Sequence, residues 1–379
     1  MKYSRALDGL RGVAILLVIL FHFGYLSAGW IGVQIFFVLS GYLITFILRS
    51  DKHEPPRAYF GGFYWRRSLR IFPIYYAYLV VLAVIFAVTA APVEFHYRWA
   101  YLVTYTYNYA LLLVPLRQSV AFTHFWSLAV EEQFYLLWPV IVYFSSLARL
   151  RVVVAVVLVA APVIRWLAVL YAASAFPDHP QIGLFAYSPL PAQCDALATG
   201  AAVALWGDEA VRRPMTWFWV TSALMAALGV WNLTAAHPGW WQAADGTWTV
   251  SRWWTTVSEL GFPPFETARL QHVWSYTAIN LWTAAVILNI ARSGQLAGVL
   301  TGRTLVFVGK ISYGLYVFHY PILGLIRAAV FYQPVSIRGI VIFPVYLAVL
   351  FGFSHLSFQF FESWFLKWKH VLFTRKAAA

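Results

Sequence analysis

Residues 8–23 read DGLRGVAILLVILFHF, and after a gap of seven residues a second apolar run, IGVQIFFVLSGYLITFIL, fills 31–48. With their neighbours, both approach the roughly 20 helical residues that cross a hydrocarbon core about 30 Å thick. The rest of the 379-residue chain repeats the pattern, with 61% hydrophobic and only 11% charged residues. A soluble domain carries about a quarter charged residues. The expected fold is therefore an all-α integral membrane protein, a single transmembrane domain over 1–379. Spans are expected near 10–27, 30–48, 71–91, 125–147, 152–173, 191–206, 214–235, 273–291, 306–330 and 338–361. Lys2 and Arg5 precede the first run as in a secretory leader. Leu26, however, stands where a cut after Ala28 requires a small residue, so the run reads as a retained helix.

Charge sets the topology. With ten spans and the N-terminus in the cytoplasm, 20 of the 27 Lys and Arg residues fall on the inside, as the positive-inside rule requires. Both termini are then cytoplasmic. Counting the fairly apolar stretch 99–115 as an eleventh span would invert everything after it, so that stretch is expected to be re-entrant or interfacial on the outer side. The outer loop 236–272, rich in Trp, Pro and Gly, is either a lid or an ordered interfacial loop. The net charge of +13 is spent between apolar blocks and forms no amphipathic stripe, which argues against nucleic acid. The lone Cys194 excludes an intrachain disulfide and a cysteine-built metal site, and no metal is expected.

Ionisable side chains at membrane depth need a partner or a task. Arg11 and His22 lie about 16 Å apart on one face of the first helix at 1.5 Å per residue. That suits a coenzyme with phosphates at the cytoplasmic mouth and a reactive group held deeper, beside an imidazole fit for general base catalysis. A snorkelling arginine and a packed histidine are the alternative. Arg67 and Arg70, in the basic run just before helix three, are one turn apart and form either a forked phosphate grip or a lipid anchor. Glu131 shares a face with Ser127 and His124, where it orients an imidazole or meets solvent. Arg165 and Asp195 read most economically as a buried ion pair, with a substrate contact for Asp195 as the alternative. Ser312, Tyr316 and His319 share a face in the run SYGLYVFHYP, where Pro321 removes a backbone donor and a kink is expected.

Together these stretches resemble the acyltransferase 3 family of bacterial membrane proteins, which includes O-antigen and exopolysaccharide O-acetyltransferases. The matching segments are Leu7–Gly12 with Phe21-His22, then GVQIFFVLSGYLI at 32–44, Arg67–Pro73, SLAVEEQFYLLWP at 127–139, Asp195–Leu197 with Gly200, and SYGLYVFHYP at 312–321. The resemblance covers nearly the whole chain in order. It implies ten helices with cytoplasmic termini in the bacterial inner membrane. It also implies an acyl-CoA donor, most simply acetyl-CoA, and an acceptor hydroxyl on an envelope or exported polysaccharide. His22 and Glu131 become the catalytic candidates, and Arg11, Arg67 and Arg70 the donor-binding ones. Ser127, Tyr316, His319 and Asp195 are candidate substrate contacts. Gln193 stands where the family often has Arg, which leaves the role of Asp195 open. In the expected mechanism His22, oriented by Glu131, deprotonates the acceptor, or else carries the acyl group itself as a relay. The rivals are a transporter or flippase of a lipid-linked sugar, disfavoured because no internal repeat is visible, a structural or regulatory partner, and an acyltransferase acting on a macrolide or lipid hydroxyl.

Overall fold

The computed structural model describes residues 4–89, 95–113, 119–210, 212–236, 250–292, 294–331 and 333–370. Among these the regular structure is entirely helical. The principal helices are α1 (Arg5–Phe23), α2 (Ile31–Ser50), α3 (Pro56–Val88), α4 (Phe125–Phe144), α5 (Leu147–Ala175) and α6 (Leu190–Ala210). They continue with α7 (Pro214–Ala236), α8 (Gln271–Arg292), α9 (Arg303–Lys310), α10 (Ser312–Ala329) and α11 (Ile337–Ser357). Seven helical stretches, containing α1, α2, α3, α5, α7, α8 and α11, are long and apolar enough to cross a membrane. The remaining helices of comparable length, α4 with 20 residues, α6 with 21 and α10 with 18, carry polar residues of the quoted motifs such as Glu131, Asp195 and His319.

Burial sorts the helices. α1, α2 and α8 sit in the middle of the bundle and are mostly buried, whereas α5 and α11 expose one apolar side chain after another. Val152, Val156, Val159 and Val163 on α5, and Ile337, Ile340, Val341 and Val345 on α11, face outward. An apolar exposed stripe of this length is what a lipid-facing helix presents. Close backbone crossings fix the centre. A Cβ on Gly41 would lie 1.9 Å from the Leu197 carbonyl oxygen, so α2 and α6 meet main chain to main chain. A Cβ on Gly309 would lie 1.8 Å from the Asp8 carbonyl oxygen, which brings Lys310 beside the start of α1. Small residues at such crossings let membrane helices approach closely.

Several sequence expectations need correction. The basic run 65–70 does not precede helix three but lies inside it, because helix begins at Pro56, in the first turn, where its missing N–H costs nothing. The expected span 306–330 is two helices, α9 and α10, which meet at Ile311. α10 itself runs through Pro321 unbroken. The final helix ends in a π turn at Phe358–Glu362 that turns Glu362 inward, leaving it buried.

The described part of segment 99–115 forms two short helices, Trp99–Val103 and Tyr107–Ala110, on either side of Tyr105 at φ 53°. Neither is long enough to cross. Their backbone is satisfied from the sides. Tyr75 donates to the Leu102 carbonyl at 2.8 Å, and Gln133 donates to the Tyr105 carbonyl and to Asn108, both at 2.8 Å. Of the outer loop, 237–249 lie outside the described residues. The remainder packs over the ends of α1 and α2, with Trp254 Nε1 donating to the Tyr25 carbonyl and Trp30 Nε1 to that of Phe262.

Candidate active site

Three cavities follow one another along α1. The first is a mouth of about 480 Å³ bordered by Asp8, Arg11, Arg70, Lys310, Glu362 and Lys369. Arg11 and Arg70 also border the second, an inner chamber of about 90 Å³ shared with Arg67, Ser127, Glu131 and Tyr316. Tyr316 and Val33 in turn border the third, an outer chamber of about 180 Å³ that contains His22 and His124. The Arg11–His22 spacing on one helix face is therefore the axis on which these spaces are strung.

The mouth and inner chamber are rich in cations. Arg11 touches Asp8 at 3.3 Å, whereas Arg67 and Arg70 make no salt bridge among the described residues. Arg67 instead stacks its guanidinium 4.0 Å from the centre of the Tyr135 ring, an arrangement that keeps its forked donors available. Lys310 and Lys369 were not singled out by the sequence. They reach the mouth because the α9–α1 crossing and the chain after the π turn bring them there.

Glu131 sits at the inner chamber in a short polar relay. Ser40 donates to it at 2.7 Å, and Tyr135 donates to Ser40 at 3.0 Å. Ser40 and Tyr135 lay within the quoted motifs but had no role assigned. The structure does not bring Glu131 to His22: the two border different chambers. Between them stands a partition. Ser127 Oγ and Tyr316 Oη are 2.6 Å apart, and the Tyr316 hydroxyl also contacts the His124 main-chain carbonyl. A carbonyl only accepts, so Tyr316 donates to it and Ser127 donates to Tyr316.

The partner of His22 is His319. Nδ1 of His22 lies 3.0 Å from the Val18 carbonyl oxygen and 3.2 Å from Nε2 of His319, while Nδ1 of His319 lies 2.7 Å from the Tyr316 carbonyl oxygen. Each carbonyl demands an N–H. His319 is thus protonated on Nδ1 with a lone pair on Nε2, and His22 is protonated on Nδ1 with its lone pair on Nε2. Arg327 donates to the His22 carbonyl at 2.8 Å and closes the end of α1.

Asp195, carried as a candidate substrate contact, borders none of these cavities. It meets Arg165 through two parallel hydrogen bonds of 2.8 Å. Arg165 is wholly buried and also donates to the Ala192 carbonyl at 2.6 Å. Gln193, in the position where arginine was expected, accepts from Gln34 at 2.8 Å and donates to the Tyr187 carbonyl at 2.7 Å.

The family model described as "Acyltransferase domain" matches residues 4–358. Among curated proteins, the peptidoglycan O-acetyltransferase OatA of Listeria monocytogenes is 28% identical over 96% of this chain and 56% of its own length. The O-acetyltransferase OatA of Staphylococcus aureus strain NCTC 8325 is 25% identical over 96% of this chain and 57% of its own length. The chain thus spans a little over half the length of these relatives. No solved structure matches it. With a family match over nearly the whole length, this chain belongs to the acyltransferase 3 family of membrane proteins.

Proposed function

We propose that this protein is an O-acetyltransferase of the bacterial cytoplasmic membrane. It moves an acetyl group from cytoplasmic acetyl-CoA to a sugar hydroxyl of a cell-envelope polysaccharide. In this reading it crosses the membrane ten times, by the seven apolar stretches together with α4, α6 and α10, and both termini are cytoplasmic.

The observation that carries the reading is the gradation along α1, from an arginine-rich mouth to an imidazole whose free nitrogen serves a separate chamber. Phosphates of the coenzyme are held by Arg70, Arg11 and Arg67 through charge-assisted hydrogen bonds. The pantetheine arm runs through the narrow inner chamber, and the thioester reaches His22 when the Tyr316 partition swings aside. His22 Nε2 takes the proton of the acceptor hydroxyl as its oxygen attacks the thioester carbonyl. The new C–O bond forms, the C–S bond breaks, and the proton passes to the departing sulfur to give free coenzyme A. His319 holds the His22 ring in the tautomer this requires, the part a carboxylate was expected to play. The sugar acceptor is supported by the printed names of the relatives and by the aromatic walls of the outer chamber, among them Trp126, Tyr187 and Tyr320.

Purified protein given acetyl-CoA and a soluble sugar acceptor should release free thiol and form one acetyl ester per thiol. Neither a flippase nor a structural partner does so. Absence of thiol release from folded protein with a range of sugars sinks the reading.

A further inference from the structure

We infer that His124 is the second acceptor-binding group of the outer chamber, receiving a hydrogen bond from a hydroxyl neighbouring the one that is acylated. The inference rests on the acyl-transfer reading above and adds a selectivity to it: the acceptor must bring two O–H donors.

The argument begins with Pro321. In a helix the carbonyl of residue 317 is met by the N–H of residue 321, and proline has none. The Val317 carbonyl is therefore left open inside the bundle. His124 fills the gap, its Nε2 lying 3.1 Å from that oxygen. A carbonyl oxygen accepts only, so the single N–H of the neutral ring is on Nε2 and the lone pair is on Nδ1. His124 is 2% exposed, and its Nδ1 has no hydrogen-bond partner among the described residues. A buried acceptor left without a donor is costly, and native structures seldom keep one without a use. His124 borders the same chamber as His22. The two rings flank His319 at centroid distances of 4.8 Å for His22 and 5.3 Å for His124.

Both rings border the outer chamber, and each keeps one ring nitrogen that can only accept. The His22 nitrogen removes the proton of the reacting hydroxyl. The His124 nitrogen satisfies a second hydroxyl on the same ring and thereby decides which oxygen faces the thioester. A lipid or macrolide presenting one isolated hydroxyl would leave His124 unpaired, so the chamber favours polyols.

The test uses full-length protein in nanodiscs with acetyl-CoA, and compares methyl β-D-glucopyranoside with its four monodeoxy derivatives by thiol release. Wild type should use at least one derivative that retains the reacting hydroxyl about tenfold less well than the parent, since a site built around a hydroxyl rejects the analogue lacking it. His124→Phe should lower kcat/KM for the parent by about tenfold and leave that derivative unchanged, with the KM for acetyl-CoA unaltered. His124→Asn, which keeps an acceptor near the Nδ1 position, should restore most of the preference. A proportional loss on parent and every derivative, or no loss at all, overturns the role of His124 while wild-type turnover leaves acyl transfer standing. A wild type that releases no thiol with any glycoside overturns the acyl-transfer reading itself, and this inference with it.

Discussion

Arg165 grips Asp195 with both arms of its guanidinium, two hydrogen bonds of 2.8 Å between side chains that solvent does not reach. The pair ties α5 to α6 and borders none of the three chambers, so its loss should be felt as stability and not as specificity. Arg165→Ala or Asp195→Ala should each destabilise by about 3–5 kcal/mol, because one charge is left buried alone. Replacing both with apolar residues of similar volume should recover most of that. Thermal unfolding in detergent measures it, and a raised acceptor KM in a stable double variant would show that Asp195 touches substrate after all.

Arg67 and Arg70 make no salt bridge among the described residues and should act on the donor alone. Arg67→Ala or Arg70→Ala is expected to raise the KM for acetyl-CoA by about tenfold or more, the worth of a charge-assisted hydrogen bond. The acceptor KM should stay where it was. For Arg70, which borders the mouth, the effect should shrink in high salt.

Removing the imidazole of the first helix should be the most severe change. His22→Ala should lower thiol release by about 10²- to 10⁴-fold, the usual contribution of a positioned base. His319→Ala should cost less and should shift the pH profile of kcat, because its task is to hold the His22 tautomer. A His319→Ala variant with an unaltered profile would refute that task.

The partition between inner and outer chambers should be tunable. Tyr316→Phe removes the contacts to Ser127 and to the His124 carbonyl, about 1 kcal/mol each at most. Acetyl-CoA hydrolysis without acceptor should rise severalfold, read as free thiol in the absence of sugar. An unchanged background rate would mean that the hydroxyl contact does not hold the partition.

One carboxyl outside the spans titrates well above its ordinary range. Glu259, in the segment that packs over the ends of α1 and α2, has its carboxyl pushed up to about 7 by burial and, second, by the negative charge of Glu266. A carboxyl raised in the folded state binds more protons than the free one. Its contribution to docking of this segment is therefore full below the ordinary carboxyl value of 4.5 and is lost as pH rises through about 7. Limited proteolysis of residues 250–270 should accelerate over that range, and Glu259→Gln should flatten the dependence.

Much of this was legible in the sequence because two periodicities carried it. Apolar blocks marked the helices, and the step from Arg11 to His22 gave the axis of the cavities. The Ser127–Glu131 and Ser312–Tyr316 spacings likewise pick out four residues that line the inner chamber. The start of α3 was missed because Arg66, Arg67 and Arg70, with Tyr59 and Tyr64, dilute hydropathy over a stretch that is nonetheless helical. The partner of His22 was missed for another reason. Spacing tells which residues share a face of one helix, but not which face of a distant helix lies opposite, and His319 comes from nearly 300 residues away. Pro321 was read as a kink, yet the missing N–H mattered more than any bend, since it opens the carbonyl that His124 takes.

In the proposed ten-span arrangement, a continuous file of water through the three cavities would short-circuit the ion gradients of the cell. The Tyr316–Ser127 contact stands at the place where such a file would have to pass. Its hydroxyls are closed on each other, 2.6 Å apart. Under the proposed function, turnover and electrical insulation would depend on the same two side chains, and a variant that loosens them should slow growth under low energy supply even where acetylation persists.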